Sequence, residues 1–186
     1  MSKWEAIARR IRVPVGFAFA GLYLFLARPT WRSMAIGAIL VLIGLAIRAF
    51  ASGHVRKNEA LSTSGPYAYT RNPLYLGSLF IGIGFVVAAR SVWVGLVLVA
   101  MFYAIYLPVI QGEEVFLRRK FPEFDEYARQ VPRMLPTPKA FWRTPNPGGA
   151  IFSLDLYRKH REYQALMGAA AMMGALALKL ILMGRG

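Results

Sequence analysis

Two short polar segments carry the side chains that could bind or orient a small molecule. The first is residues 65–77, GPYAYTRNPLYLG, in which Arg71 precedes the pair Asn72-Pro73. The second is the acidic pair Glu113-Glu114. An arginine can orient an anionic group, carboxylates accept hydrogen bonds from hydroxyl and amino groups, and the N–H groups at a helix start attract anions. These residue types could together hold a polar ligand.

Long apolar stretches flank both polar segments and dominate the composition. The chain has 186 residues, of which 56% are hydrophobic, and the apolar residues come in blocks that do not alternate with charge. This pattern is typical of a membrane protein. The formal net charge of +14 then indicates basic residues that face the cytoplasm and anionic headgroups, so we expect membrane lipids and no nucleic acid as partners.

No feature of the sequence predicts a metal site. Cysteine is absent, which excludes a disulfide framework and a thiolate site. His54 and His160 are isolated from one another in the sequence, whereas a zinc site needs a cluster of such ligands. We therefore expect no bound metal.

Five apolar segments are candidates for transmembrane helices, which need about 20 residues to cross the hydrocarbon core. They are Val13–Ala27, Ser33–Ala51, Pro73–Ala89, Val92–Ile110 and Gln164–Met183. The sequence therefore predicts an all-α, polytopic membrane protein with about five spans and a cytoplasmic helical segment between the fourth and fifth. The last segment has an alternative: if it lies flat or packs elsewhere, the C-terminus stays inside.

Lysine and arginine residues set the predicted orientation, because they are enriched in cytoplasmic loops. Placing the N-terminus in the cytoplasm puts 18 of the 23 Lys and Arg residues inside and 5 outside. We expect an integral protein of the plasma or inner membrane whose N-terminus and polar segments face the cytoplasm.

One domain, residues 1–186, is expected, with 1–51 forming the first two spans, 52–139 a motif-bearing core, and 140–186 an amphipathic helix and the last span. The soluble part should contain helices at Glu113–Phe121 and Pro122–Gln130, an irregular stretch at 131–149, and the amphipathic helix from about Ser153.

The two polar segments are predicted to meet at one end of a helical hairpin. Only Arg90 and Ser91 separate the third and fourth apolar segments, so these helices must be antiparallel. Asn72 lies 18 residues before Arg90 and Glu113 lies 23 residues after it. At 1.5 Å per residue, the two sites then differ by about 7 Å along the axis. Pro108 is expected to kink the fourth helix and adjust that offset.

Each polar residue also has a simpler structural explanation. Asn72-Pro73 is a good pair to start a helix, Gly65-Pro66 favours a turn, and Arg71 with its neighbouring tyrosines suits a membrane interface. Glu113-Glu114 could neutralise nearby arginines. The occurrence of all of them at one membrane depth favours a functional site.

The same residues resemble the signature of a membrane enzyme family. Residues 65–77 are similar to the G-P-Y and R-H-P-x-Y-x-G elements of integral-membrane methyltransferases of the isoprenylcysteine carboxyl methyltransferase type. Residues 113–136 are similar to the E-E-x-x-L, paired-aromatic and V-P-x-x-P elements of that family. Phospholipid N-methyltransferases share part of this pattern. The chain departs from it at Asn72, where the family usually has His, and at Pro122 and Phe124, which replace Gly and Tyr.

The resemblance implies S-adenosylmethionine as the cofactor, bound without a glycine-rich loop. It implies Arg71 and Glu113 as catalytic residues. The implied cofactor-binding residues are the matching positions of the two segments: Tyr67, Asn72, Pro73, Tyr75, Leu76, Glu113, Glu114, Tyr127, Val131, Pro132 and Leu135.

The methyl acceptor is open at this point. An isoprenylated cysteine is the first expectation; its carboxylate is ionised at neutral pH and would need Arg71 only to orient it. A phospholipid amine is the second, and it would need a Glu or Tyr as base. A membrane scaffold that kept the fold and lost catalysis is the third, because Asn72 replaces the family His. Small residues such as Ala170 and Gly174 would permit a homodimer.

Overall fold

The computed structural model describes residues 18–56, 59–137 and 151–183, and these ranges contain helices, turns and loops with no β-strand. The helices are α1, residues 18–26; α2, Trp31–Ser52; α3, Pro73–Ala89; α4, Val92–Met101; α5, Leu107–Lys120; α6, Phe124–Gln130; α7, Leu154–Lys159; and α8, Tyr163–Met183. A 3-10 turn, Gly65–Ala68, precedes α3, and a π-helical turn, Phe102–Tyr106, joins α4 to α5.

Within the described residues, three helices are long and apolar enough to cross a membrane, namely α2, the joined helix Val92–Lys120 and α8. α3 is apolar and shorter, with 17 residues. The predicted all-α class is confirmed for the described residues. Residues 18–26 of the first predicted span are helical, and residues 13–17 lie outside the described ranges. The count of five spans and the cytoplasmic segment stay predictions.

α2 and α3 are antiparallel, and their backbones are in contact at two pairs of glycines. Gly37 lies against Gly84, and Gly44 lies against Gly77. A Cβ atom added at Gly44 would lie 2.5 Å from the carbonyl oxygen of Gly77, closer than real side chains approach. Helices pack this closely only where residues are small. This pair of helices is the support on which the loop before α3 rests.

The start of α2 is fixed by a reciprocal cap and by a bond to α3. Thr30 Oγ1 accepts a hydrogen bond from the Ser33 N–H at 3.2 Å, and Ser33 Oγ accepts one from the Thr30 N–H at 3.0 Å. The Ser33 hydroxyl also donates to the Ala88 carbonyl at 3.0 Å. Because Thr30 is the cap, α2 begins at Trp31, two residues before the predicted start.

The C-terminal part of α8 packs at this same end of the helix pair, beside Met34 of α2 and Ala88 of α3. Leu176 is fully buried in a cluster with Tyr23 and Val94. The Lys179 ammonium donates to the carbonyls of Leu24 and Ala27, each at 2.6 Å. A cation that binds the last carbonyls of a helix satisfies their free lone pairs and interacts well with the helix dipole, so Lys179 caps α1.

The predicted tight link between α3 and α4 is present at Arg90 and Ser91. Arg90 adopts a left-handed φ of 51°, which ends α3. A π-helical turn ends at Tyr106, two residues before Pro108, where a kink was expected. Proline cannot donate to the carbonyl four residues earlier and crowds it, and a wider turn relieves that crowding.

The helices after the hairpin differ slightly from the predicted bounds. α6 begins at Phe124 and not at Pro122, because residues 122 and 123 form a turn that the Phe124 N–H closes onto the Phe121 carbonyl at 3.1 Å. Residues 131–137 of the predicted irregular stretch are free of helix. The Ser153 side chain caps α7, where the amphipathic helix was predicted to begin.

Candidate active site

A buried carboxylate, Glu114 on α5, is the centre of the candidate site. It exposes 5% of its surface. One of its oxygens lies 3.3 Å from an Arg71 guanidinium nitrogen, and the other lies 2.8 Å from an Arg133 guanidinium nitrogen. The Arg133 Nε donates to the same carboxylate at 3.0 Å. Two guanidinium groups therefore share one carboxylate, and this cluster carries an excess of positive charge.

Asn72 connects Glu114 with the loop that follows α6. Its side-chain amide donates to the Arg133 carbonyl at 3.0 Å and lies 3.5 Å from Glu114 Oε1. The side chain makes no hydrogen bond to the first turn of α3, although Asn72 occupies the N-cap position. The explanation of Asn72 as a helix cap therefore applies to its backbone, while its amide bonds across the site.

Hydrogen bonds hold the loop before α3 against the loop after α6. The Arg71 N–H donates to the Pro132 carbonyl at 2.9 Å. The Thr70 hydroxyl donates to the Arg133 carbonyl at 3.2 Å and accepts from the Asn72 N–H at 3.3 Å. Val131 is buried beside this contact. The two sequence segments therefore meet at one end of the hairpin, as their spacing predicted.

Arg71 keeps one unsatisfied donor. Its side chain is 13% exposed, and its buried Nε has no hydrogen-bond partner among the described residues. A buried donor without a partner costs about 1–3 kcal/mol, and such atoms in native proteins usually have a specific explanation, such as a ligand or ion. Arg71 therefore has both the charge and the free donor that an anionic ligand group requires.

Two tyrosines close the site on the side of the 3-10 turn. The Tyr127 hydroxyl donates to the Tyr67 carbonyl at 2.7 Å, which ties α6 to that turn. Burial is the main cause that raises the pKa of both phenols. Because a raised pKa keeps a phenol protonated at neutral pH, these tyrosines contribute shape and hydrogen bonds and are poor general bases.

Glu113 lies apart from the buried cluster, on an exposed face of α5. The Tyr75 hydroxyl donates to Glu113 Oε1 at 3.0 Å. The Tyr75 ring packs edge-on against Tyr106 with the ring centroids 6.2 Å apart. The two adjacent glutamates thus differ: Glu114 is neutralised by arginines, and Glu113 remains accessible to a ligand.

The remaining predicted site residues differ in burial. Pro73 and Leu76 are buried in the first turn of α3, and Leu135 exposes 66% of its surface, so its part in a ligand wall stays a prediction. No group of three or more His, Cys, Asp or Glu residues in the described part of the chain could hold a metal ion. The described contacts link the other predicted residues in three separate groups: Arg71, Asn72, Glu114 and Pro132; Tyr75 and Glu113; and Tyr67 and Tyr127.

Sequence reasoning missed Thr70 and Arg133, which complete the cluster. Both residues lie inside the two segments selected from the sequence, and this was the signal that could have found them. The sequence could not show their partners, because the contacts join residues 61 or more positions apart.

A second ion pair, also missed, joins α2 to the turn that precedes α8. Arg48 donates from Nε and Nη2 to the two carboxylate oxygens of Glu162 at 3.0 and 2.9 Å. Its Nη1 donates to the Ser78 hydroxyl at 2.6 Å and lies 3.4 Å from the Leu74 carbonyl. The signal in the sequence was an arginine inside an apolar segment, which is rarely placed there without a partner.

A match to a known protein family covers most of the candidate site. Residues 44–123 match the family model described as phospholipid methyltransferase. This part of the chain belongs to the phospholipid methyltransferase family. The family match contains Arg71, Asn72, Glu113 and Glu114, and it ends before Tyr127 and the loop that follows α6. With its three long apolar helices, the chain is an integral membrane protein with a methyltransferase-family domain.

Two curated proteins are similar to the chain around this domain. The cobalt-zinc-cadmium resistance protein CzcN of Cupriavidus metallidurans is 37% identical over 132 residues, which cover 67% of this chain and 61% of that protein. The nickel-cobalt-cadmium resistance protein NccN of Alcaligenes xylosoxydans xylosoxydans is 37% identical over 115 residues, which cover 58% and 53%. The chain thus spans less than two thirds of the length of each. No solved structure matches it.

Proposed function

We propose that the chain is an S-adenosylmethionine-dependent methyltransferase that modifies a lipid-like acceptor at the cytoplasmic face of a membrane. The observation that carries this proposal is the buried Glu114 cluster within and beside the methyltransferase-family domain. Its excess positive charge and the free Arg71 Nε suit a carboxylate, either that of the cofactor's methionine part or that of the acceptor.

The residues present fit the polar groups of the cofactor. Glu113 is exposed and can accept hydrogen bonds from ribose hydroxyls or from an amino group. Tyr75 and the loop at 131–135 would form the walls of an adenine site. When bound, the cofactor supplies a methyl group on a positively charged sulfonium.

The chain's own contribution is mainly positioning, which can provide much of the rate of a group transfer. Arg71 is held by Glu114 and by its backbone bond to Pro132, so its guanidinium is fixed before any ligand arrives. A fixed cation next to the reacting group orients an anionic acceptor without the cost of reorganising at the moment of reaction. Tyr67, which is buried, and Tyr127, which is half-buried, would keep water from that position.

Two acceptors remain, and they require different chemistry. The resemblance in residues 65–77 and 113–136 places an isoprenylated cysteine first, and its carboxylate needs Arg71 but no base. The family match supports a phospholipid amine as the second candidate. An amine must lose a proton, and Glu113 would be its base, because burial disfavours that role for the neighbouring tyrosines.

A labelled methyl-transfer assay tests the proposal. The full chain in nanodiscs is incubated with methyl-labelled S-adenosylmethionine and either N-acetyl farnesylcysteine or phosphatidylethanolamine vesicles. Base-labile label on farnesylcysteine would indicate a carboxyl ester, and base-stable label on the phospholipid would indicate an N-methyl group. Transfer to neither acceptor, with no cofactor binding, would overturn the enzyme proposal in favour of a scaffold.

Both relatives are named as metal resistance proteins. Because the described residues contain no group of three or more His, Cys, Asp or Glu that could hold a metal ion, we propose that any role of this chain in metal resistance is indirect, through methylation of a membrane component. Expression of the wild type in a cobalt-sensitive host should then protect growth, whereas Arg71→Ala should not. Equal protection by both proteins would contradict an indirect, catalytic route.

A further inference from the structure

A cavity of about 260 Å³ lies between α2 and α8, beside the Arg48–Glu162 ion pair. This volume is close to the lower end of the range of about 300–1,000 Å³ that is usual for ligand sites. The residues that line it are mainly apolar, with the ion pair and one phenol as the polar part: Leu42, Leu45, Ala46, Arg48, Ala49, Tyr157, Glu162 and Leu166.

The cavity has a polar end and an apolar end. Arg48, Glu162 and Tyr157 form the polar end. Leu42 lies six residues before Arg48 on the same helix, which places it about 9 Å further along the axis. Leu42 and Leu166 expose 61% and 49% of their surfaces, so the cavity opens toward the lipid-facing surface of the helices. This arrangement matches an amphiphilic ligand, with its polar head at one end and its apolar chain at the other.

Hydrogen-bond partners decide which polar group the cavity can accept. Each guanidinium nitrogen of Arg48 is engaged, with Glu162, Ser78 or the Leu74 carbonyl. The Glu162 side chain is 10% exposed, and a carboxylate has about four acceptor positions. The polar end therefore offers acceptors, the carboxylate of Glu162 and the hydroxyl of Tyr157, to a head that carries a donor.

The cavity and the Glu114 cluster share the first turn of α3. Arg48 approaches the Leu74 carbonyl, and Leu74 directly precedes Tyr75, the partner of Glu113. Tyr67 is within electrostatic reach of both regions: after burial, the charges of Glu113 and Glu162 contribute to its raised pKa, and Arg48 opposes them. A molecule whose head lies at Glu162 would thus end next to the turn that carries the candidate active site.

We propose that this cavity binds the apolar chain of the methyl acceptor, with the acceptor's head against Glu162 and Tyr157. The occupant is a single prenyl chain whose head carries an N–H donor, the amide of N-acetyl farnesylcysteine, so that the neighbouring carboxylate remains for Arg71. This inference rests on the proposed function only where it calls the bound lipid a methyl acceptor. A lipid chain can bind in the cavity without being methylated.

Photo-crosslinking of the full chain in nanodiscs tests the cavity directly. An N-acetyl farnesylcysteine analogue with a diazirine on its chain is irradiated, and the labelled peptides are mapped by mass spectrometry. We expect labelling at residues 42–49 and 157–166 that unlabelled N-acetyl farnesylcysteine suppresses. Labelling spread evenly over the exposed apolar faces, Trp93 of α4 included (68% exposed), would overturn the assignment.

A matched pair of variants on α2 sharpens the test. Leu45→Trp fills the cavity and should lower the specific labelling, and raise the KM for farnesylcysteine, by about tenfold, the usual size of a change to one apolar pocket contact. Ile39→Trp adds the same side chain at a position that is 59% exposed and outside the cavity, and it should leave both unchanged. Equal effects of the two variants would contradict the proposal.

The outcomes separate the two proposals. If farnesylcysteine is methylated and Leu45→Trp behaves as Ile39→Trp does, the cavity assignment fails and the methyltransferase proposal stands. If the labelling is confined to the cavity and no lipid is methylated, the methyltransferase proposal fails and the lipid site stands.

Discussion

Two arginine–glutamate pairs lie near the first turn of α3, and they differ in what they leave unsatisfied. In the Arg48–Glu162 pair the fork of the guanidinium meets both carboxylate oxygens, and Ser78 binds the remaining nitrogen. In the other pair, Glu114 is shared between Arg71 and Arg133. Arg71 Nε is left buried with no partner in the described part of the chain. The first pair is complete without a ligand, and the second has spare charge and a spare donor.

The difference indicates how each region contributes to function. A buried ion pair often adds little net stability, because desolvation offsets the attraction. The complete pair is better understood as a connection between α2, α3 and the turn before α8 that leaves an acceptor at the polar end of a cavity. The incomplete pair is the place where an anionic group would gain most, so the catalytic proposal depends on it.

Arg71→Ala should give the largest effect. Removing an oriented cation at a reacting group typically lowers kcat by about 10²–10³-fold, and we expect the affinity for the demethylated cofactor to fall much less. Labelled methyl transfer and calorimetric titration measure the two quantities.

Arg71→Lys is the control for charge, because it keeps a cation but lacks the guanidinium Nε and its planar fork. An intermediate kcat is expected. Unchanged turnover in Arg71→Ala would remove this residue from the catalytic role, and thermal unfolding in detergent would show whether the variant remains folded.

Glu114→Gln and Glu162→Gln compare the two pairs directly. Each replaces a carboxylate by an amide of equal size and leaves a partly buried arginine without its charge partner, which costs about 3–5 kcal/mol for a well-buried pair. Both variants should therefore unfold at lower temperature. Only Glu114→Gln should also lower the affinity for the cofactor, measured by calorimetric titration, because it alone loosens the contacts of Asn72 and Arg133 that hold the loop at 131–135, the expected adenine wall. A similar loss of affinity in Glu162→Gln would contradict the division between the regions.

With N-acetyl farnesylcysteine as the acceptor, which needs no base, Glu113→Gln should give the smallest effect. It weakens one exposed hydrogen bond from Tyr75 and one expected bond to the cofactor, each of which is worth about 0.5–1.5 kcal/mol, or roughly 2- to 12-fold in affinity. Stability should be unchanged, since the side chain is exposed. Unaltered cofactor affinity would transfer the predicted role of Glu113 to Glu114.

The sequence predicted the helices and the meeting of the two segments because both follow from local rules. Apolar length marks a helix in a membrane, and a two-residue link such as Arg90-Ser91 leaves an antiparallel hairpin as the outcome. Counting residues on either side of that link was enough to predict that Asn72 and Glu113 lie at the same end of the hairpin.

The side-chain partners could not be predicted in this way. Arg48 and Glu162 are 114 positions apart, and their contact depends on how α8 packs against α2. The position of the Asn72 amide depends on the loop after α6, which is outside the hairpin that fixed the rest. The close contact of α2 and α3 at Gly44 and Gly77 likewise follows from tertiary packing, because a glycine in an apolar helix does not indicate which residue it will contact.

The central claim is that the Glu114 cluster belongs to a cofactor site, and the most direct measurement is a calorimetric titration of the purified chain with S-adenosylhomocysteine, the demethylated cofactor. We predict saturable binding at one site per chain that weakens strongly in Glu114→Gln and little in Glu162→Gln. An absence of binding by the folded wild-type protein in nanodiscs would contradict the account.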